Sequence, residues 1–242
     1  MSTVIIIQAR VGSTRLPNKV LTDIANKPML QRVVERCSRS TNADTVMVAT
    51  TNNADDDPIV KLCESIGTPV YRGSEEDVLD RYKQAADMIQ ADVIVRVTSD
   101  CPLIDPEILD QAITKFEEVK PDYASNVIER TYPRGLDCEI FSRSVLDRVW
   151  NEAKQKHERE HVTPYILENP EKFTVLSIVG DTNESTHRWT VDTPEDLKLV
   201  QAIYAELGED GAFDWKQILD FLEQNPEILQ LNAGIEQKSL KD

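Results

Sequence analysis

The fold is decided by Val4-Ile5-Ile6-Ile7-Gln8-Ala9-Arg10-Val11-Gly12-Ser13-Thr14-Arg15-Leu16-Pro17-Asn18-Lys19. The first four residues are β-branched and continuously apolar, which is typical of a strand buried on both faces of a sheet. The loop that follows carries three cations around its single glycine: Arg10, Arg15 and Lys19. Backbone amides near Gly12 and Ser13 can turn toward one anion, while arginine grips phosphate oxygens bidentately and lysine acts as a point charge. The stretch therefore predicts a phosphate-binding loop that leaves a core strand.

Strand-like and helix-like segments alternate along the next part of the chain, a pattern typical of a mostly parallel sheet with helices on its faces. Strands are predicted at 45–50, 70–72 and 93–97, and helices near 57–65 and 78–89. The sequence therefore predicts an α/β protein.

After Tyr123 the pattern loosens into short strands near 123–128 and 138–141, followed by short helices. We predict a single domain over 1–242, with an inserted substrate or dimerisation subdomain near 123–180. The subdomain leads us to expect a homodimer.

The acidic composition confines the dense positive charge to the first loop. The chain has 27 Lys and Arg against 43 Asp and Glu, a formal net charge of −16, yet no acidic residue precedes Asp23. Such a protein repels nucleic acid unless it has a large basic face, and the sequence has no second basic cluster of this density. No apolar stretch is long enough to cross a bilayer, and the N-terminus lacks a signal-peptide pattern. We therefore expect a cytoplasmic protein that binds neither nucleic acid nor membrane.

The four cysteines are widely separated and form no Cys-x-x-Cys pair: Cys37, Cys63, Cys101 and Cys138. That spacing argues against a zinc knuckle and against a redox motif. We expect reduced thiols.

Two aspartates are candidate metal ligands. Asp100 follows the predicted strand at 93–97, and Asp192 follows the strand-like segment 186–191. Ligands in open parallel sheets collect outside the carboxyl ends of the strands. A nucleotide-bound Mg²⁺ needs only one or two oxygen ligands from the protein and takes the others from water and phosphate. Each aspartate alone is also an ordinary turn or cap residue, but both together with the cationic loop predict a Mg²⁺ site.

A competing motif is His157-Glu158-Arg159-Glu160-His161, which has the H-E-x-x-H spacing of zinc hydrolases. In that hypothesis the two histidines bind zinc and the first glutamate is the general base. The helix would be largely charged, Pro164 follows closely, and the sequence has only one further histidine, His187. A zinc hydrolase is therefore a remote alternative.

Other nucleotide-binding motifs are excluded by the positions of the glycines, because Gly12 is the only glycine before Gly67. Neither a G-x-G-x-x-G dinucleotide turn nor a Walker A loop can form here. This disfavours NAD-dependent enzymes and P-loop ATPases.

Six segments, in order along the chain, resemble the SpsF-type (spore coat polysaccharide biosynthesis) branch of the sugar cytidylyltransferases. Related branches of this family activate acylneuraminate and 3-deoxy-manno-octulosonate. The segments are 8–21, 71–79, 100–106, 132–137, 159–165 and 188–196. The resemblance spans most of the chain, and it accounts for the H-E-x-x-H motif, because the family pattern begins at Arg159 and leaves His157 outside.

The resemblance implies a nucleotide-diphospho-sugar transferase fold of the GT-A type and a Mg²⁺-dependent reaction. In that reaction a sugar hydroxyl attacks the α-phosphate of CTP and pyrophosphate leaves. The implied substrate is an acidic or modified sugar of a surface polysaccharide.

We therefore predict three groups of site residues. The candidate catalytic residues are Arg10, Lys19, Asp100 and Asp192, with Asp100 and Asp192 as the metal ligands. The candidate nucleotide-binding residues are Gln8, Ala9, Arg10, Gly12, Ser13, Arg15, Lys19, Arg72, Asp77 and Ser99. The candidate sugar-binding residues are Arg134, Asp137, Glu139 and His161, and Arg134 would meet a carboxylate if the sugar is acidic.

Two positions depart from the family pattern. Asn18 stands where the pattern has glycine, and asparagine tolerates left-handed backbone angles, so we expect the loop to keep its shape. Thr190 stands where sialate-activating relatives have a second acidic residue, which argues against a second metal ion. Two further alternatives are a glycosyltransferase that uses a preformed nucleotide sugar and a non-catalytic nucleotide-sugar-binding protein of the same fold.

Overall fold

The described part of the chain, residues 1–13 and 15–235 of a computed structural model, folds around a seven-stranded sheet. The strands are β1 (Thr3–Gln8), β2 (Asp23–Ile24), β3 (Lys27–Pro28), β4 (Thr45–Thr51), β5 (Val70–Gly73), β6 (Val93–Thr98), β7 (Tyr123–Ser125), β8 (Glu139–Ser142) and β9 (Val175–Ser177). The helices are α1 (Met29–Cys37), α2 (Asp57–Ser65), α3 (Val78–Ile89), α4 (Pro106–Val119), α5 (Arg143–Glu152), α6 (Lys156–His161), α7 (Pro164–Glu168), α8 (Pro194–Leu207), α9 (Trp215–Gln224) and α10 (Pro226–Leu229). Short 3₁₀ turns lie at Lys19–Leu21, Ala54–Asp56 and Gln230–Asn232.

The sheet confirms the predicted α/β class. Its strand order is β5-β4-β1-β6-β8-β7-β9, and β2 and β3 form a separate antiparallel pair. β1 is parallel to β4 and β6, and β4 is parallel to β5, whereas β8 is antiparallel to β6 and β7. Gln8, the last residue of β1, lies opposite Thr98, the last residue of β6. The loops that follow these two strands therefore leave the same edge side by side.

The apolar run of β1 is continuous because both faces of the sheet are covered. Ile5 and Ile7 belong to the hydrophobic cluster that includes residues of α1, α4, α8 and α9. Val4 and Ile6 belong to the opposite cluster, which includes residues of α3, α5 and α7. All four side chains are fully buried, as predicted for a strand of this composition.

The segment 123–180 is built into the main sheet. It supplies β7, β8 and β9, and residues of α5 and α7 pack in one of the two hydrophobic clusters. The strand predicted at 123–128 ends at Ser125, because the buried Asn126 leaves the ladder and donates its side-chain amide to the Leu136 carbonyl (2.7 Å). A role of this segment in dimerisation stays a prediction.

All four cysteines are buried and free, as predicted. Burial raises the pKa of Cys37 to about 12 and the pKa of Cys63 to about 11, so both thiols stay protonated at neutral pH. They act as small apolar residues, since the thiolate is the reactive form of cysteine. Within the described residues, no helix combines the length and the apolar character needed to cross a membrane.

Candidate active site

A cavity of about 640 Å³ opens at the edge of the sheet where β1 and β6 end. Its volume is in the range of small-molecule binding sites. Most of the predicted site residues line it: Gln8, Ala9, Arg10, Gly12, Ser13, Arg15, Lys19, Ser99, Asp100, His161 and Asp192. The parallel register of β1 and β6 thus brings the cationic loop and Asp100 to one cavity, which Asp192 also lines.

Lys19 lies between the two candidate metal ligands. Its Nζ donates to Asp100 Oδ2 (3.0 Å), Asp192 Oδ1 (2.9 Å) and the Val191 carbonyl (3.1 Å). Burial lowers the pKa of Lys19, but the charges of Asp100 and Asp192 outweigh burial and the pKa is raised overall. Lys19 is therefore protonated at neutral pH and holds the two carboxylates together.

Backbone hydrogen bonds bring the two aspartates to the same place. The Asp100 carbonyl accepts from Val191 N (2.8 Å) and from Thr190 Oγ1 (3.1 Å). Thr98 Oγ1 donates to Asp100 Oδ1 (2.6 Å), which leaves Oδ2 directed to Lys19. Thr190 thus joins the two segments through its hydroxyl.

Asp192 is surrounded by positive charge. Lys19 contacts its Oδ1, while Arg15 Nη2 (3.1 Å) and Arg188 Nη2 (2.9 Å) contact its Oδ2. Burial raises the pKa of Asp192, but Lys19, Arg188 and Arg15 outweigh burial and the pKa lies below its usual value. Asp192 is therefore ionised at neutral pH.

The two carboxylates fit a divalent cation. Asp100 Oδ2 and Asp192 Oδ1 converge on one position. The Lys19 Nζ lies next to both oxygens, 3.0 Å from Asp100 Oδ2 and 2.9 Å from Asp192 Oδ1. Carboxylate oxygens are the hard ligands that Mg²⁺ prefers. The donor set therefore suits Mg²⁺, and Asp100 and Asp192 stay the predicted ligands.

The turn that aims Lys19 into the cavity depends on Asn18. Asn18 has a left-handed backbone conformation (φ 58°, ψ 22°), and Lys19 N donates to the Leu16 carbonyl (3.2 Å). Asn18 thus adopts the left-handed conformation that asparagine was expected to tolerate here. Gly12, by contrast, does not have a positive φ, and a Cβ on it would meet nothing within 4 Å. Among the described residues of the loop, the left-handed backbone conformation therefore lies at Asn18 and not at Gly12.

The beginning of the loop is anchored by a buried carboxylate. Val11 N donates to Asp56 Oδ1 (2.7 Å), and Asp56 Oδ2 accepts from Thr51 N (3.2 Å) at the end of β4. Arg10 reaches across the cavity mouth to Glu75 (3.1 Å). The loop is thus fixed at both ends, and its cations point toward the cavity.

Two predicted nucleotide-binding residues lie outside the cavity lining, Arg72 and Asp77. Arg72 pairs with Asp57 (2.7 Å) and donates to the Asn53 carbonyl (2.7 Å). Asp77 accepts from Asp80 N (2.9 Å) at the start of α3 and pairs with Arg159 (2.6 Å). Both side chains hold neighbouring segments, and their contact with a nucleotide stays a prediction.

Three predicted sugar-binding residues also lie outside the lining: Arg134, Asp137 and Glu139. Asp137 forms a bidentate pair with Arg130 (2.6 and 2.9 Å). The buried Glu139 pairs with Arg96 and accepts from the Tyr123 hydroxyl (2.6 Å). Glu139 is thus enclosed by partners, since Arg96 brings a charge into the middle of the sheet that needs a carboxylate.

The cavity has further residues that the sequence analysis did not assign to the site: Val20, Glu75, Glu76, Val78, Arg81, Thr98, Lys156 and Glu160. Arg81 is only 2% exposed and donates to the Ser74 carbonyl (2.8 Å). The sequence signal for its place in the cavity is its spacing from Val78, since residues three apart share a helix face. An arginine within a helix is ordinarily read as part of the solvent face, so this signal is weak.

The H-E-x-x-H residues form a helix start. Glu158 Oε2 accepts from Lys154 N (2.7 Å) and Gln155 N (2.6 Å), as part of the capping box of α6. His157 Nε2 lies 3.0 Å from Glu168 Oε1, whereas His161 lines the cavity. This arrangement disfavours the zinc-hydrolase alternative, because its general base satisfies backbone amides and its two histidines have different surroundings.

The fold and the site define an α/β protein that combines a cationic loop and paired carboxylates in one cavity. The pattern of the family described as Cytidylyltransferase matches residues 4–233. The chain is 33% identical over 229 residues to the spore coat polysaccharide biosynthesis protein SpsF of Bacillus subtilis, covering 92% of this chain and 94% of SpsF. It is 29% identical over 247 residues to the 3-deoxy-manno-octulosonate cytidylyltransferase of Chloroherpeton thalassium, covering 85% of this chain and 99% of that enzyme.

A solved structure of a cytidylyltransferase from Leptospira borgpetersenii has the same fold. It superposes with a TM-score of 0.92 at 35% sequence identity, covering 98% of this chain and 100% of that chain. The chain belongs to the cytidylyltransferase family, and the predicted resemblance to SpsF is confirmed.

The left-handed conformation of Asn18 gives a prediction about stability. Asn18→Gly should change the free energy of unfolding little, because glycine adopts this φ freely. Asn18→Val should lower it by about 1–2 kcal/mol, the usual cost of left-handed angles for residues other than glycine, asparagine and aspartate. Urea unfolding followed by tryptophan fluorescence measures both. Asn151→Val, at an exposed position inside α5, is the control, and an equal loss at positions 18 and 151 would contradict the prediction.

The lowered pKa of Asp192 gives a prediction about pH. In the unfolded chain the pKa of an aspartate is about 3.9. Because the folded pKa is lower, the charged Asp192 stabilises the fold above that value, and the contribution is lost as the pH falls through the folded pKa. Asp192→Asn should therefore lose more unfolding free energy at pH 7 than at pH 3 in urea titrations. Asp220→Asn, exposed on α9, should lose little at either pH, and a pH-independent loss at Asp192 would refute the prediction.

Proposed function

We propose that the protein transfers the cytidylyl group of CTP to a hydroxyl of a sugar and releases pyrophosphate. The observation that carries the proposal is the convergence of three loop cations, Arg10, Arg15 and Lys19, on the cavity that holds Asp100 and Asp192. Membership of the cytidylyltransferase family supports CTP as the nucleotide. SpsF and the 3-deoxy-manno-octulosonate cytidylyltransferase among the relatives support a sugar as the acceptor.

The proposed reaction is a displacement at phosphorus. The oxygen of the sugar hydroxyl bonds to the α-phosphorus while the bond from that phosphorus to the oxygen of the β-phosphate breaks. The hydroxyl proton passes to solvent, and pyrophosphate leaves with the electron pair. Such a step needs positioning and charge neutralisation more than covalent participation by the protein.

The loop cations supply that neutralisation. Arg10 and Arg15 are now paired with Glu75 and Asp192, with side chains that are 50% and 30% exposed. An exposed ion pair such as Arg10–Glu75 contributes only about 0–1 kcal/mol, so a triphosphate can replace Glu75. Arg15 can also turn to phosphate, because Asp192 keeps its pairs with Lys19 and Arg188. Arginine then holds the β- and γ-phosphates bidentately, and Lys19 stabilises the charge on the departing pyrophosphate.

The two aspartates prepare the cavity for Mg²⁺. Asp100 and Asp192 would hold the ion, which when bound supplies positive charge next to the phosphate oxygens. Thr190 supports a single ion, because its side chain has no carboxylate and its hydroxyl donates to the Asp100 carbonyl. Lys19 meanwhile limits the repulsion between the two carboxylates.

Substitution of either charged centre tests the reaction. Lys19→Ala and Asp100→Asn should each lower CTP-dependent pyrophosphate release by about 100-fold or more, the usual cost of losing one preorganised electrostatic contact. The assay combines each of the four nucleoside triphosphates with Mg²⁺ and a panel of sugars, and measures pyrophosphate.

Lys115→Ala is the matched control, because Lys115 is 61% exposed on α4 and pairs only with Glu118 among the ion pairs of the described residues. Its rate should equal that of the wild type. Wild-type rates in Lys19→Ala or Asp100→Asn would contradict the assignment. CTP binding without pyrophosphate release on any sugar would favour the glycosyltransferase or the non-catalytic alternative.

We also infer that the sugar is acidic. Gly135 has a φ of 108°, and a Cβ on it would lie 2.6 Å from Thr190 N, so the turn that carries Arg134 packs directly on the segment leading to Asp192. Arg134 N donates to the His187 carbonyl (3.0 Å) and its carbonyl accepts from Trp189 N (2.7 Å). These backbone contacts place the half-buried Arg134 against the segment that carries the proposed metal ligand Asp192. A guanidinium is the usual partner of a carboxylate, which 3-deoxy-manno-octulosonate carries.

A sugar panel tests this role of Arg134. Arg134→Gln should raise KM for an acidic sugar by about 10- to 100-fold, because a hydrogen bond to a charged group contributes about 1.5–3 kcal/mol. Initial rates at saturating CTP measure KM. Arg148→Gln, on the exposed side of α5, should leave KM unchanged. Equal use of neutral and acidic sugars by the wild type, or an unchanged KM in Arg134→Gln, would contradict the inference.

A further inference from the structure

A buried carboxylate, Asp196, fixes the backbone from which Asp192 projects. Asp196 is fully buried, at 0% exposure. Its Oδ2 accepts from the backbone N–H groups of Asp192 (3.0 Å) and Thr193 (3.0 Å). Its Oδ1 accepts from Asn232 Nδ2 (2.9 Å). The bond from Thr193 N forms the capping box of α8 together with the bond from Asp196 N to Thr193 Oγ1 (3.2 Å). Because the same carboxylate also holds Asp192 N, the start of this helix and the position of Asp192 are set together.

Arg188 connects this carboxylate to the Asp192 side chain. Its Nε donates to Asp196 Oδ1 (2.9 Å), and its Nη2 donates to both Asp192 Oδ2 (2.9 Å) and Asp196 Oδ2 (3.1 Å). A planar guanidinium with fixed donor directions can hold two carboxylates in one defined arrangement. Asn232 Nδ2 also donates to the Arg188 carbonyl (2.9 Å), so Arg188 is held at its backbone and at its side chain.

Arg188 and Arg15 contact the same oxygen of Asp192 but differ in how firmly they are held. The Arg15 side chain is 30% exposed, whereas that of Arg188 is 10% exposed and is anchored on the buried Asp196. Under the proposed function Arg15 turns to phosphate when CTP binds. Arg188 does not line the cavity and keeps its contact with Oδ2.

We infer that Arg188 is a positioning residue that occupies Oδ2 of Asp192 and thereby presents Oδ1 to the metal position beside Asp100. Asp196 and Asn232 hold Arg188 in this arrangement, so the C-terminal 3₁₀ turn supports a metal ligand of the active site. This inference rests on the proposed function. In the described structure Oδ1 already has the required direction, since it lies 2.9 Å from Lys19 Nζ, which also contacts Asp100.

Mn²⁺ binding tests the positioning role independently of turnover. Mn²⁺ is titrated into the full-length protein, alone and with CTP, and free Mn²⁺ is measured by electron paramagnetic resonance. Arg188→Lys should raise the Kd for Mn²⁺ by about 10- to 100-fold, the usual effect of removing a group that orients a metal ligand. A lysine carries the charge but cannot bridge both carboxylates. Asn232→Ala should shift the Kd in the same direction by a smaller factor.

Arg143→Lys is the matched control, because Arg143 also pairs with two carboxylates, those of Asp87 and Asp147, away from the cavity. Its Kd for Mn²⁺ should equal that of the wild type. Melting temperatures are measured in parallel, since a purely structural role would lower Tm and leave the Kd of the folded protein unchanged.

The possible failures are distinguishable. Wild-type Mn²⁺ binding with an unchanged Kd in both Arg188→Lys and Asn232→Ala overturns the positioning role and leaves the proposed function intact. A wild type that binds no Mn²⁺, alone or with CTP, overturns the metal site of the proposed function and this inference with it.

Discussion

The ammonium of Lys19, held between two carboxylates, is the interaction on which the site depends. It joins the first loop to residues that are 81 and 173 positions away in the sequence, Asp100 and Asp192. Two ionised carboxylates this close repel each other unless a cation lies near both, and the raised pKa of Lys19 reflects that demand. The position between Asp100 and Asp192 therefore requires a positive group. A position that needs a lysine in the free protein is also a position that can accept a divalent ion.

The register of the sheet brings two parts of this site together. Because β1 and β6 are parallel neighbours and end at Gln8 and Thr98, the loop and Asp100 leave the sheet next to each other. Asp192 comes from a segment with only one isolated bridge, between Arg134 and Arg188, and reaches the site through the hydrogen bond from Val191 N to the Asp100 carbonyl. The site therefore combines two elements placed by the sheet with a third placed by local backbone bonds.

The parts of the structure that could be predicted from the sequence are those whose signals are local. The buried strand and the cationic loop each follow from residue types within a few positions, whereas the left-handed angle at Asn18 was expected from the family resemblance. Partners distant in the sequence could not be predicted in this way. Glu139 was predicted to contact the sugar, whereas in the structure it pairs with Arg96, a single cation inside the apolar run of β6. The bridge from Arg188 to Asp192 and Asp196 likewise depends on Asp196, which belongs to the capping box of α8.

The three loop cations differ in how exposed their side chains are. Arg10, Arg15 and Lys19 have side chains that are 50%, 30% and 14% exposed, and each is paired with at least one carboxylate. Charge pairs weaken as solvent screening increases, so the pairs loosen from Lys19 outward to Arg10. Under the proposed function, a triphosphate contacts Arg10 at the mouth of the cavity, where the ion pair is the most exposed of the three. It contacts Lys19 beside the two aspartates, where the ion pairs are the least exposed of the three. In that proposal the outer phosphates lie on the arginines, and the bond that breaks lies next to Lys19, the least exposed of the three loop cations.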